Sequence, residues 1–387
     1  MLEQIIQPKE KKVEYIELIY DLIFVYIIGR NNSLLHIIEN GFIQPTSFAA
    51  YVMTTLAVIQ IWNFTTYYVN IYGRHSIRDH VFLFINMFLL YFIGEGTRED
   101  WQGFHLQYHI AWALILVNIG AQYLCELRNH KDEPGNRKQI FRMSAILFSE
   151  ALIVAADIFL YRATGTTWLS LAAIIFGIVC VLIFGQKNSG KFVDFTHLSE
   201  RAMLYVVFTF GEMIIAISSY FEGEFSLRST YFALMAFLIV VGLFLSYGMY
   251  YDHIIDREMQ TNGLLYIFLH IFIIFALNNI TNGLEFMREE EINLMPKMIF
   301  LIVSFVLYFS FLFALGKKHA KAICRKYNFL CINAGVMGII FIILMMLLRN
   351  NTFLHIALTV VFVFGMFAMI YYYGKKMDTV DTKNEKE

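Results

Sequence analysis

Twelve apolar runs, each close to the length of a membrane-spanning helix, follow one another along this chain of 387 residues. A helix needs about 20 mainly apolar residues to cross the hydrocarbon core of a bilayer. Runs without the alternation of a β-barrel strand favour helices. Since 58% of the residues are hydrophobic and only 16% are charged, a soluble globular fold is excluded. The sequence predicts an all-α polytopic membrane protein with spans at 14–38, 48–72, 80–97, 106–127, 141–161, 167–186, 200–220, 230–251, 263–283, 297–316, 329–348 and 353–374.

Positive charges predict the orientation of these spans. Of the 30 Lys and Arg residues, 23 fall at the termini and in the even-numbered loops. Loops rich in Lys and Arg stay on the cytoplasmic side. We therefore expect a plasma-membrane protein with both termini in the cytoplasm. Its partners would be membrane lipids and an unidentified small solute, and a net charge of −1 gives no sign of nucleic-acid binding.

The chain also resembles two copies of a six-helix unit. A shift of about 183 to 188 residues pairs Glu17 with Glu200 and Arg74 with Arg257. Chance alignment of apolar helices is the alternative. An even number of helices would give both copies the same orientation, as in parallel transporter repeats. The predicted organisation is a cytoplasmic N-terminal tail (1–13), a first six-helix repeat (14–186), a cytoplasmic linker (187–199), a second six-helix repeat (200–374) and a cytoplasmic disordered tail (375–387).

Two carboxylates in the first predicted helix are the strongest functional candidates. Glu17 and Asp21 are four residues apart and therefore share one helix face. An ionised carboxylate in hydrocarbon costs several kcal/mol, so such residues usually face the bundle interior or a wet cavity. The alternative is that Glu14 and Glu17 lie at the headgroup level and only Asp21 is inside the membrane.

Three more acidic residues lie well inside predicted spans: Glu150, Asp157 and Glu212. Protonation, hydrogen bonding or a bound cation would lower the cost of burying them, as in a proton or cation relay. Each could instead be a neutral packing residue bonded to a neighbouring helix.

Deep polar residues could line a solute pathway, namely Gln60, Asn63 and His270. Lone polar residues of this kind can equally bond another helix. Tyrosines near the cytoplasmic helix ends, such as Tyr67 and Tyr250, are expected to form an aromatic belt.

His197, Glu200 and Arg201 form a polar cluster at the start of the seventh predicted helix. A metal site here is not expected, because His-x-x-Glu alone is weak and the chain lacks H-E-x-x-H and a dense histidine cluster. No cofactor is predicted, and nucleotide-binding and hydrolase motifs are absent from the sequence.

Several of these residues resemble the signatures of one bacterial family. Glu17, Leu18, Asp21, Leu22, Phe24 and Val25 resemble the opening E-L-F-F-D-L-V-F-V pattern of the low-temperature-requirement A family. The run Trp62, Thr66, Tyr67 and Asn70 agrees with it, as do His197, Glu200 and Arg201 followed by Gly211-Glu212. The resemblance implies a polytopic membrane protein linked by name to growth in the cold, and it implies no settled biochemical activity.

The hypothesis favoured by these patterns is a secondary transporter or permease for a small solute, coupled to protons. An enzyme acting on a lipid or quinone is an alternative, and it would need an acid–base pair such as His197 with Glu200. A membrane sensor or regulator is a second alternative, although the short loops offer little docking surface.

Overall fold

A computed structural model describes residues 12–384, apart from 75, 96–100, 185–192, 222–225, 290, 322–326 and 349. The described chain contains twelve α-helices. They are α1 (Tyr15–Asn31), α2 (Pro45–Tyr72), α3 (Ile77–Glu95), α4 (Trp101–Cys125), α5 (Pro134–Thr164), α6 (Trp168–Phe184), α7 (Phe195–Ala216), α8 (Leu227–Met249), α9 (Leu264–Arg288), α10 (Leu294–His319), α11 (Tyr327–Leu347) and α12 (Thr352–Asn384).

Ten of these helices are long and apolar enough to span a membrane. The other two, α1 and α6, have 17 residues each. Each helix overlaps one predicted run, which confirms a multi-pass helical membrane protein. Residues 187–192 of the linker predicted at 187–199 lie outside the described residues, and its end from Phe195 belongs to α7. Helix α12 continues to Asn384, into the segment for which the sequence predicts disorder.

The first predicted span is too long at its end. It was expected to reach residue 38, but α1 stops at Asn31 and a 3-10 segment, Asn32–His36, follows. Asn and Ser side chains compete with helix hydrogen bonds, and Asn31, Asn32 and Ser33 occur here in a row. A short antiparallel hairpin of β1 (Ile38–Glu39) and β2 (Phe42–Ile43) then leads into α2.

The seventh helix begins earlier than the predicted start at residue 200. The Asp194 side chain accepts the backbone N–H of His197 at 3.0 Å and caps α7 at its first turn. Arg201 therefore lies inside a helix and is not a loop cation.

Two helices, α2 and α9, form the centre of the bundle. In each, 78% of the most apolar window is buried, compared with 22% in α11 at the periphery. Helix α2 contacts α1, α4, α6, α7 and α9, so a polar side chain on almost any of its faces meets another helix.

The predicted aromatic belt is wrong for the tyrosines of α2 and of the end of α8. Tyr67 is only 3% exposed and Tyr250 is fully buried. The Tyr250 hydroxyl hydrogen-bonds that of Tyr327 at 3.0 Å. Tyr67 lies on the central helix α2 and Tyr250 packs against Tyr327, so neither ring reaches the lipid interface.

Candidate functional site

A buried ionic cluster joins α1, α2 and α7. The Arg201 guanidinium donates to both oxygens of Asp21, from Nη2 to Oδ1 at 2.8 Å and from Nε to Oδ2 at 3.2 Å. Trp62 donates its indole N–H to the same Oδ1 at 2.7 Å. Arg201 and Asp21 are both fully buried. Such a bidentate, charge-assisted contact fixes the position of α7 relative to α1.

Glu17 supplies the second carboxylate of the cluster. Its Oε2 lies 3.2 Å from Arg201 Nη1 and 3.5 Å from His197 Nε2. Spacing of four residues on each helix brings the pair Glu17 and Asp21 of α1 to face the pair His197 and Arg201 of α7.

The protonation of His197 follows from its other contact. Asn70 is held by two backbone bonds, since its Nδ2 donates to the Asp194 carbonyl at 2.8 Å and its Oδ1 accepts the Asp194 N–H at 3.0 Å. The same amide nitrogen lies 3.0 Å from His197 Nδ1 and can only donate. His197 Nδ1 is therefore an acceptor, the ring is neutral, and its proton lies on Nε2, which faces Glu17.

Among these four side chains, ionised carboxylates outnumber the cationic group. Glu17 and Asp21 bring two negative charges, Arg201 brings one positive charge, and His197 is neutral. An uncompensated charge in a dry interior is strongly unfavourable. A proton on Glu17, or a cation beside it, would make the cluster neutral.

Glu150 and Gln60 meet on another face of α2. Both are buried, at 0% and 1% exposure, and a Cβ atom added to Gly177 of α6 would contact the Glu150 carboxylate and the Gln60 amide. Within the described chain neither Glu150 oxygen has a hydrogen-bond partner, and the same holds for both polar atoms of the Asn63 side chain. Gln60 Oε1 likewise has no partner within the described chain, whereas Gln60 Nε2 donates to the Ile174 carbonyl at 3.2 Å.

Asp157 belongs to a separate cluster between α4, α5 and α6. Its Oδ2 lies 3.4 Å from His105 Nε2 and 3.2 Å from His109 Nε2, and it accepts the Ser170 hydroxyl at 2.7 Å. All four side chains are buried. Sequence analysis missed both histidines, although two histidines four residues apart near the start of a predicted helix are a visible signal.

Glu212 lines a cleft of about 470 Å³ between α1, α3 and α7, together with Glu95. Gly29 of α1 leaves room for it, because a Cβ atom there would lie 2.5 Å from Glu212 Oε1. His270 is fully buried in α9 and bonds the Tyr266 carbonyl and the Tyr247 hydroxyl.

The predicted residues thus form several clusters. Glu17, Asp21, His197 and Arg201 come together, whereas Glu150 with Gln60, Asp157, Glu212 and His270 lie at other places in the bundle. Glu200 is partly exposed on α7, whereas Arg201 contacts Asp21 of α1.

Comparison with known proteins gives one result that covers most of the chain. The family model described as "Bacterial low temperature requirement A protein (LtrA)" matches residues 12–367. A search of curated proteins and a search of solved structures found no match.

Proposed function

The chain belongs to the bacterial low temperature requirement A (LtrA) family, and on that premise we propose that it is a proton-coupled secondary transporter, or permease, for a small solute. It is an integral membrane protein of many helices. The proposed location is the plasma membrane, with both termini in the cytoplasm, on the basis of the Lys and Arg distribution.

The observation that carries this proposal is the unequal charge of the cluster around Arg201. Two buried carboxylates face one guanidinium and a neutral His197. Binding or release of one proton changes the net charge of these four side chains by one unit, and with it the electrostatic contact between α1 and α7. A group whose charge state changes the stability of a helix contact is what proton coupling requires.

The cluster is well placed to act on the whole bundle, because it joins the first helix of each proposed six-helix repeat. Helix neighbours support the duplication: α1 packs on α3 as α7 packs on α9. Contacts α3–α4, α4–α5 and α5–α6 likewise correspond to α9–α10, α10–α11 and α11–α12. In transporters built from such repeats, one half moves against the other around a central site.

In this proposal the poorly satisfied polar groups beside α2 form the solute route. Gln60, Asn63 and Glu150 are buried next to the central helix and can bond a polar solute or water. Glu212 in its cleft is a further proposed coupling group, and His270 a further proposed lining group.

Purified protein in proteoliposomes, with a pH-sensitive dye inside, tests the coupling. Amino acids, sugars and carboxylic acids would be screened for uptake driven by an imposed pH gradient. We expect one solute to enter together with protons, and we expect Glu17→Gln and Asp21→Asn to reduce this flux to the level of empty vesicles.

The matched control is Glu200→Gln, which removes a carboxylate from the partly exposed face of α7 and should leave uptake unchanged. Full coupled uptake in Glu17→Gln and Asp21→Asn would refute the role of the cluster. A chemically altered lipid or quinone without uptake of any solute would instead indicate an enzyme.

A further inference from the structure

The cluster of His105, His109 and Asp157 has the composition and spacing of a metal site. The three side chains come from α4 and α5, and one possible ligand atom from each lies within 4.8 Å of the other two. We propose that they bind one divalent transition-metal ion of the zinc class, at a site separate from the ionic cluster around Arg201.

The arrangement of protons around His109 favours a bound cation. His109 Nδ1 lies 2.7 Å from the His105 carbonyl oxygen, which can only accept, so Nδ1 carries the proton. In the neutral ring Nε2 then presents a lone pair, and it faces Asp157 Oδ2 at 3.2 Å. Two lone pairs at this distance repel each other unless a proton or a cation lies between them.

The Ser170 hydroxyl cannot donate to both groups. Ser170 Oγ lies 2.7 Å from Asp157 Oδ2 and 2.7 Å from His109 Nε2. It has one hydrogen to donate. Within the described chain Asp157 Oδ1 has no hydrogen-bond partner, and its side chain is fully buried. The Ser170 hydrogen therefore serves only one of the two acceptors, His109 Nε2 and Asp157 Oδ2.

The distances between the possible ligand atoms are also close to those around a tetrahedral ion. A tetrahedral ion with ligand bonds of about 2.05 Å holds its ligand atoms roughly 3.3 Å apart. Asp157 Oδ2 lies 3.2 Å from His109 Nε2 and 3.4 Å from His105 Nε2. Small shifts would place all three atoms around one ion, with Ser170 or a water molecule as the fourth ligand.

A backbone hydrogen bond to the second ring nitrogen of His109 also favours a metal site. Histidines that bind metals commonly donate their other ring N–H to a backbone carbonyl, which fixes the tautomer and the ring orientation. The bond from His109 Nδ1 to the His105 carbonyl does this. Two imidazoles and a carboxylate suit Zn²⁺ and related transition metals better than Mg²⁺ or Ca²⁺, which prefer oxygen.

An ion could reach the site from one side of the membrane. His105 lies in the first turns of α4, Ser170 in the first turn of α6, and Asp157 in the last turns of α5. These three helix ends are at the same side of the bundle. A site built from three helices leaves no local motif such as H-E-x-x-H, which explains why the sequence favoured no metal.

The test uses the full-length protein in detergent, stripped with a chelator and titrated with Zn²⁺ and with Co²⁺. We expect one ion per chain by elemental analysis, and a Co²⁺ absorption spectrum typical of tetrahedral nitrogen and oxygen ligands. His109→Gln and Asp157→Asn should weaken binding by about tenfold or more.

His319→Gln is the matched control, because His319 is also buried and also bonds the carbonyl four residues earlier. It should bind the ion like the wild type. Equal binding by Asp157→Asn and the wild type would overturn the proposal, and so would a wild type that binds neither ion. The second result would leave a histidinium–aspartate ion pair in the cluster.

X-ray absorption on the zinc-loaded wild type needs no variant and therefore does not depend on the folding of the substituted proteins. We expect two imidazoles among the ligands and no sulfur. A spectrum with sulfur ligands, or with no imidazole, would overturn the assignment.

Discussion

At the scale of single residues, Arg201 is the group on which the central cluster depends. It is fully buried, and its guanidinium contacts both Glu17 and Asp21. Removing one partner of a buried ion pair leaves an uncompensated charge, which is much more harmful than the pair itself is stabilising.

We expect Arg201→Met to lower the free energy of unfolding by about 3–5 kcal/mol. Thermal unfolding in detergent, followed by circular dichroism, measures the loss. Adding Glu17→Gln and Asp21→Asn to the same chain should recover part of it, because the two buried negative charges are then also removed. The control Arg162→Gln removes an exposed guanidinium from the end of α5 and should change little. Equal unfolding temperatures for Arg201→Met and Arg162→Gln would contradict the importance of the cluster.

At the scale of helices, close packing of α6 against α2 and α5 depends on a missing side chain. A Cβ atom on Gly177 would overlap the Glu150 carboxylate and the Gln60 amide, both of which are buried. A glycine in a helix interior otherwise costs roughly 0.5–1 kcal/mol relative to alanine, so its presence here has a steric reason.

Gly177→Ala should destabilise the protein, because an overpacking cost of about 1–3 kcal/mol exceeds the gain in helix propensity. Gly338→Ala on α11 is the matched control, since among the described residues no side chain or other helix lies within 4 Å of the added Cβ atom there. That variant should be as stable as the wild type or slightly more stable. Chemical unfolding of both variants in detergent compares them, and a Gly177→Ala variant as stable as Gly338→Ala would show that Glu150 and Gln60 move aside freely.

At the scale of the whole molecule, a titratable contact joins the segment after α1 to the C-terminal end of α9. His36 follows α1, and its Nε2 and Nδ1 lie 3.4 Å from Glu285 and 3.2 Å from Glu289 at the end of α9. Hydrogen bonding to Glu285, followed by that to Glu289, raises the pKa of His36 from its ordinary value of 6.5 to about 9.

This pKa predicts a pH dependence of stability. The pKa of His36 is higher in the folded than in the unfolded state. Its contacts with the two glutamates therefore stabilise the fold fully below pH 6.5, and this stabilisation is lost as the pH rises through about 9. The effect should be small, because the His36 side chain is 39% exposed and solvent screens the contact. Unfolding temperatures measured across this range should decline less in His36→Gln than in the wild type. Parallel declines would assign the pH dependence to other groups.

The order and number of helices could be predicted from the sequence, because each span must by itself supply about 20 mainly apolar residues to cross the bilayer. The partners of the buried charges could not. Asp21 and Arg201 are 180 residues apart, and no local pattern around either residue indicates that their helices pack together. The histidine partners of Asp157 were missed because only the packing of α4 against α5 brings them together.

The two central helices, α2 and α9, do not hold equivalent positions in the proposed repeats. The counterpart of α2 is α8, and that of α9 is α3. In α3 only 39% of the apolar window is buried, and in α8 only 50%. If the chain arose by gene duplication, the two copies have since diverged. The first copy contributes its second helix, α2, to the centre of the bundle, and the second copy contributes its third helix, α9. Mutational tolerance should then differ between matching positions, with substitutions accepted in α3 and α8 that abolish folding in α9 and α2.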